Sequence, residues 1–171
     1  MRRIIFLAPV FILFAVLVGS TQSTSAIVAD HGPSAFGQGS FAFFNGMATE
    51  QWGYSFETEA NRNGQARGRA TFDILENSTQ TQVVVKINCL EVLASPEETA
   101  AIMTGTVLRS DDPEFPKHAN VIFGAEDNNG SAVFHFDIIT RLFVFEGGDC
   151  HSGGFPLTFF QQPVDAIHIQ P

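Results

Sequence analysis

Basic residues are scarce in this chain of 171 residues, which has nine lysines and arginines against 18 aspartates and glutamates. Without residues 1–26, seven basic and all 18 acidic residues remain, which gives a formal charge of −11. A field of this sign repels phosphate backbones and anionic lipid head groups. The composition therefore disfavours nucleic acid as a partner and a peripheral role on a lipid surface.

Tyrosine and tryptophan are almost absent, with one residue each, whereas phenylalanine occurs 18 times. Phenylalanine has no polar group with which to reach water or a hydrogen-bond partner. The excess therefore indicates a packed aromatic interior and argues against an aromatic platform for stacking sugars.

Cysteine is limited to Cys89 and Cys150, and the chain has no CxxC motif. Two thiols so far apart are a poor basis for a metal site, which remains the second interpretation. In an oxidising compartment an even pair predicts one disulfide. Closing a loop of about 60 residues would stabilise the fold by roughly 4 kcal/mol through the entropy of the unfolded chain.

Catalytic signatures are also missing, since the sequence contains neither HExxH nor GxSxG. Asp149, Cys150 and His151 are adjacent, but a catalytic cysteine and histidine normally converge from distant segments. We therefore expect no enzyme activity and no cofactor.

The N-terminus differs in composition from the rest of the chain. Two arginines precede an apolar run over residues 4–18, and polar residues follow. This order is typical of a secretory signal, so we predict that residues 1–26 form a signal peptide cut after Ala26, with a cut after Ser20 as an alternative. If the segment is retained, residues 4–26 would anchor the chain in a membrane. The predicted location is secreted or periplasmic, or membrane-anchored in the second case.

Beyond the N-terminus the hydrophobic residues alternate with a period of two. The segments QWGYSFETEA and ARGRATFDIL each place apolar residues on one face and polar residues on the other, as half-buried strands do. We predict a flexible linker over residues 27–39 and a single all-β domain over residues 40–171. About eight strands should form an antiparallel meander that closes into a small barrel or folds into a two-sheet sandwich.

Three local features refine this meander. The alternation slips after Cys89, which predicts a β-bulge. A turn over Pro96–Thr99 followed by a strand to Arg109 is favoured over a short helix in the same region. The segment SAVFHFDIITRLFVF, residues 131–145, is predicted to be one long strand.

The segment GAEDNNGS, residues 124–131, concentrates oxygen ligands of the kind that bind calcium. In an EF-hand loop the twelfth position is a glutamate, but counting from Asp127 places Ile138 there. Asn128, Asn129 and Gly130 accept positive φ at low cost, so we predict a hairpin turn.

His135 and Asp137 are the candidate metal ligands, because His-x-Asp places both side chains on one face of a strand. Tetrahedral zinc needs three or four ligands, and no partner motif supplies the others. The polar face of a two-faced strand is the preferred interpretation, and no bound metal is expected.

An ordered set of segments carries a family resemblance. YSFETEANRNGQARGRATF, INCLEV, AIMTGTV, DPEFP, VIFGAEDNNG, GGFPL and AIHIQP follow one another over residues 40–171. Together they resemble small exported bacterial β domains of the post-COAP type and related secreted proteins. The resemblance implies an all-β module that follows a signal peptide. It implies no reaction, cofactor or catalytic residue.

The expected function is that of an exported, non-catalytic β domain that acts through surface contacts with a partner in the cell envelope or outside the cell. One alternative is a carrier whose phenylalanine-lined barrel interior holds a small apolar ligand. Another is a membrane-anchored periplasmic subunit of a larger complex.

Overall fold

The computed structural model describes residues 32–44, 49–61, 65–95, 99–128, 137–147, 150–151, 161–164 and 167–171. These residues are all-β and contain no helix, as predicted. The strands are β1 (Ser34–Phe44), β2 (Thr49–Ala60), β3 (Gln65–Glu76), β4 (Thr79–Ala94), β5 (Thr99–Ser110), β6 (Asn120–Asp127), β7 (Asp137–Thr140), β8 (Phe143–Val144), β9 (Gln161–Val164) and β10 (Ile167–Gln170).

The strands form one antiparallel sheet whose two ends meet in the C-terminal segment. Strands β1 to β7 pair in sequence order, and β8 continues along β6 after β7. Strand β9 pairs with β7, whereas β10, two residues further on, pairs with β1. If β7 and β8 count as one strand, and β9 and β10 as another, the sheet is a nearly closed barrel of eight strands. The predicted meander is confirmed, and it adopts the barrel alternative.

Alternating side chains build the wall of this barrel. On β2, Trp52, Tyr54 and Phe56 are buried in the interior, whereas Ser55 and Glu57, which alternate with them, are exposed. The same alternation places the apolar residues of β3 inside, except Leu75 near the end of the strand, which is exposed. Because successive side chains of a strand point to opposite faces, a period of two is sufficient to assign each residue to the interior or the exterior.

Aromatic rings fill much of the interior. The buried ring of Trp52 makes edge-to-face contacts with Phe72 and Phe115, at centroid distances of 6.0 and 6.2 Å. Phe72 also contacts Phe123 at 5.2 Å. Each such contact contributes about 0.5–1.5 kcal/mol beyond the burial of apolar area. The described phenylalanines inside the barrel therefore pack against one another, as their number in the sequence predicted.

Strands β5 and β6 are buried on both faces, which a half-buried alternation does not predict. Met103 and Phe123 point into the barrel, and Ile102 and Ile122 on the outer face are buried as well. A segment that we call the strap, residues 145–147 and 150–151, follows β8 and covers this outer face together with the side chain of Phe143. A second small core lies beneath it and comprises Cys89, Ile102, Ile122, Phe143, Phe145 and Cys150.

Strand β4 contains the predicted bulge, but it lies before Cys89 and not after it, and the predicted strand β5 is confirmed. The register between these strands shifts between Ile87 and Cys89, and Cys89 and Leu90 are both buried. Asn88 is left out of the pairing, so Asn88 and Cys89 both face outward and Leu90 returns to the barrel interior. Cys89 is buried because it belongs to the second small core under the strap. Thr99–Ser110 is a strand, as predicted. Residues 96–98 of the predicted turn lie outside the described residues.

The predicted linker over residues 27–39 is wrong for residues 34–39, which form the first half of β1. Gly37 and Gly39 weakened the strand signal in the sequence. In the structure the ring of Phe56 lies beside Gly37, and the side chain of Tyr54 lies beside Gly39. A Cβ added at either glycine would lie 2.8 Å from the neighbouring side chain. The two glycines therefore make room for large neighbours on β2 within a regular strand.

The single long strand predicted over residues 131–145 is also wrong. Residues 131–136 lie outside the described residues, and the remainder is interrupted between β7 and β8 by a shift of one residue in the register with β6. At the break the Gly124 amide donates a hydrogen bond to Oγ1 of Thr140 at 2.9 Å. Arg141 follows, with its guanidinium 5.2 Å from the ring centroid of Phe43 and in an ion pair with Glu114.

Two carboxylates complete the closure of the barrel on the side of β10 that faces away from β1. The Ile167 amide donates a hydrogen bond to Oδ2 of Asp137 at 2.8 Å, and the Ile169 amide donates to Oδ2 of Asp127 at 3.2 Å. We call this junction the seam. Side-chain oxygens therefore take the place of a backbone ladder between β10 and β7, and they satisfy amides at the edge of the strand.

We predict that Asp137→Ala destabilises the barrel by about 2 kcal/mol, because the Asp137 carboxylate accepts hydrogen bonds from two backbone amides. Urea unfolding at neutral pH, followed by the fluorescence of the buried Trp52, measures the change. Asp111→Ala is the control, since Asp111 is exposed and should change stability by less than about 0.5 kcal/mol. Equal unfolding midpoints for the two variants would contradict the role of Asp137 in closure.

Candidate functional site

A cleft of about 680 Å³ lies on the outside of the barrel and crosses four neighbouring strands. Residues of β10, β1, β2 and β3 line it, so both chain ends of the domain contribute to one surface. The lining consists of Phe36, Gly37, Gln38, Ser55, Phe56, Glu57, Arg69, Thr71 and His168. Its volume lies within the range of small-molecule sites in proteins.

The register of the strands places four larger side chains of the cleft in one row. His168 is opposite Phe36, Phe36 is opposite Glu57, and Glu57 is opposite Arg69. Directly opposed residues of an antiparallel pair are close enough for their side chains to interact. The row therefore presents an imidazole, a phenyl ring, a carboxylate and a guanidinium side by side.

Smaller polar residues form the next row of the cleft. Ser55 is opposite Gln38 on one side and Thr71 on the other. Two hydroxyls and an amide can each donate and accept hydrogen bonds. The side chains of Ser55 and Thr71 are shorter than those of the neighbouring row. This difference in side-chain length accounts for the recess in the outer surface.

Phe36 is the apolar element of the cleft, and 46% of its surface is exposed. Its ring lies 4.9 Å from that of His168, with an angle of 43° between the planes. The contact with His168 orients the ring without covering it. A bound molecule could therefore place an apolar face on Phe36 and direct polar groups to the neighbouring side chains.

Asp137, one of the two predicted metal candidates, belongs to the seam. Its Oδ1 accepts a hydrogen bond from the Asn128 amide at 3.1 Å, and its Oδ2 accepts the bond from Ile167. His135 lies outside the described residues, so its position relative to Asp137 is not part of the described structure. The arrangement gives Asp137 a structural role in holding backbone amides.

Of the three residues predicted to form the turn, the structure describes Asn128. Asn128 directly follows β6 and is buried. Asn129 and Gly130 lie outside the described residues. Asp127, the first residue of the calcium loop considered above, uses its carboxylate at the seam.

Cys89 and Cys150 lie at disulfide distance, with 1.97 Å between the sulfurs and 5.7 Å between the Cα atoms. The bond joins β4 to the end of the strap. The Cys150 amide donates to Sγ of Cys89 at 3.1 Å, and Nδ1 of His151 lies 3.6 Å from Oε1 of Glu91. The pairing inferred from the cysteine count is therefore the one that the geometry supports, and a cysteine in a disulfide cannot serve as a nucleophile.

The cleft was not predicted from the sequence. Glu57 and Arg69 were assigned to the solvent face of consecutive strands, which is correct, but the cleft residues Phe36–Gln38 fell within the predicted linker. His168 lies next to Phe36 only because β10 pairs with β1. A signal for this pairing exists in the short alternation AIHIQ at the C-terminus, which matches the alternation that begins at Phe36.

Comparisons with protein-family models, with curated proteins and with solved structures found no match for this chain. The resemblance to post-COAP domains therefore stays a prediction. Among the described residues, no helix is both long and apolar enough to cross a membrane.

We predict that replacing both cysteines by alanine lowers the free energy of unfolding by about 4 kcal/mol, because the disulfide closes a loop with a sequence separation of 61. Chemical denaturation of the oxidised wild type and of the double variant measures the difference. A double serine variant tests whether the polarity of the replacement matters. A loss below about 1 kcal/mol in the alanine variant would contradict the assigned role of the disulfide.

Proposed function

We propose that this protein is an exported, non-catalytic β-barrel that acts by binding, and that the outer cleft is its binding site. The observation that carries the proposal is the half-exposed ring of Phe36 within a recess of about 680 Å³ that polar side chains surround. Burying this ring against a ligand would remove apolar surface from water, which is a favourable contribution to binding.

The chemistry of the cleft indicates the kind of molecule that it would hold. Glu57 and Arg69 contribute opposite charges from directly opposed positions. Gln38, Ser55 and Thr71 supply groups that both donate and accept hydrogen bonds. A small uncharged or zwitterionic molecule with one flat apolar face fits this arrangement best, either free or exposed on an envelope or extracellular partner.

The alternative of an apolar-ligand carrier places the ligand inside the barrel. In the described part of the interior, the ring of Phe72 contacts the rings of Trp52 and Phe123. A ligand at their position would have to displace these rings and lose their mutual packing. No observation on the described residues favours this alternative over binding at the outer cleft.

Export is part of the proposal. Support comes from the Cys89–Cys150 pair at disulfide distance, because disulfides persist mainly in oxidising compartments. Residues 1–26, with the predicted signal or anchor, lie outside the described residues. A retained anchor would make the protein the membrane-bound subunit considered above, and the cleft would serve the same role there.

The test is a ligand-observed NMR screen with a fragment library of neutral and zwitterionic compounds, including monosaccharides and amino acids. Wild type should give hits whose affinity falls at least about tenfold in Phe36→Ala, because the apolar face of the cleft is removed. Phe44→Ala is the matched control, since Phe44 is on the same strand, is 66% exposed and does not line the cleft. Hits that bind equally well to wild type and Phe36→Ala would contradict the proposal.

A further inference from the structure

We propose that Cys89, Cys150 and His151 form a second site, which binds one zinc ion when the disulfide is reduced. The site lies on the outer surface, where the strap meets β4. The site shares no residue with the outer cleft, so its zinc binding can be tested independently of the proposed function.

The three side chains already converge. One potential ligand atom from each, the two sulfurs and an imidazole nitrogen, lie within 4.8 Å of one another. Both cysteines are buried, whereas the side chain of His151 is 47% exposed. The two sulfurs therefore form the inner wall of the site, and the imidazole lies at its open side, where an ion can enter from solvent.

This ligand set matches the chemistry of zinc. Two thiolates and one imidazole, with water in the fourth position, make a known tetrahedral arrangement for this ion, with Zn–S distances of about 2.3 Å. With Zn–S bonds of this length and a tetrahedral angle between them, the two sulfurs must lie about 4 Å apart. With 5.7 Å between the Cα atoms, rotation of the cysteine side chains accounts for most of this separation.

Glu91 adds an orienting group to the site. It is two residues from Cys89 on β4, and its Oε1 lies 3.6 Å from Nδ1 of His151. A carboxylate beside a metal-binding histidine fixes the orientation of the ring and raises its basicity. Glu91 is therefore a positioning residue for the His151 ring.

The conversion between the two forms is a balanced exchange. A dithiol reductant transfers two electrons and two protons to the disulfide, which yields two thiols, and the reductant itself becomes a disulfide. Each thiol then loses its proton on binding, so one zinc ion displaces two protons. In both forms a link between Cys89 and Cys150 holds the strap to β4, first as a covalent bond and then through the ion.

Cobalt titration of the full-length protein tests the proposal, with Co²⁺ as a spectroscopic probe for zinc. After anaerobic reduction and removal of the reductant, we expect one Co²⁺ per chain and a near-ultraviolet thiolate-to-cobalt charge-transfer band. The oxidised protein should show neither. His151→Ala should weaken Co²⁺ binding at least about tenfold, and Glu91→Gln should weaken it less.

His118→Asn is the control for a histidine outside the site; its asparagine tolerates the positive φ of 71° at this position, and cobalt affinity should not change. Circular dichroism follows the fold in parallel. If reduction alone unfolds the protein, Co²⁺ should restore the native spectrum. The proposal is overturned if the reduced protein gives no charge-transfer band, if Co²⁺ does not restore a reduced and unfolded chain, or if His151→Ala binds Co²⁺ as tightly as wild type.

Discussion

The C-terminal segment holds the structure together, because it pairs with both ends of the sheet. Strand β9 pairs with β7, and β10 pairs with β1. Without this double pairing the meander would keep two open edges, each with unsatisfied backbone groups that invite association with other chains. The carboxylates of Asp127 and Asp137 satisfy the amides of Ile167 and Ile169 at the junction. The acidic composition thus has a structural use beyond the charge that it gives the surface.

Closure also creates the surface on which the proposed function depends. His168 contacts Phe36 because β10 lies beside β1, and the outer cleft extends from this pair across β2 and β3. The strap covers the outer faces of β5 and β6 and is tied to β4 by the disulfide. The outside of the barrel therefore has one region buried under the strap and another that is recessed and open. The first stabilises the fold, and the second is available for binding.

The sequence predicted those features that depend on single strands. Alternation identified the interior residues of β2 and β3, and it indicated a bulge in β4 but placed it after Cys89, whereas the unpaired residue precedes Cys89. It failed where tertiary contacts decide the outcome. The glycines of β1 indicated a linker, although they accommodate Phe56 and Tyr54, and Asp137 was considered as a metal ligand although it binds backbone amides. The cleft could not be found, because the pairing of β10 with β1 is set by barrel closure and because the cleft residues of β1 were assigned to a linker.

Hydrogen exchange at the amides of Ile167 and Ile169, followed by NMR at neutral pH, tests the central claim that β10 closes the barrel. If the Asp137 and Asp127 carboxylates hold these amides, both should exchange far more slowly than an unstructured chain, with protection approaching that of the core strands β3 and β4. Exchange at the rate of an unprotected amide at both positions, while β3 and β4 remain protected, would show that the seam is open and would contradict the account.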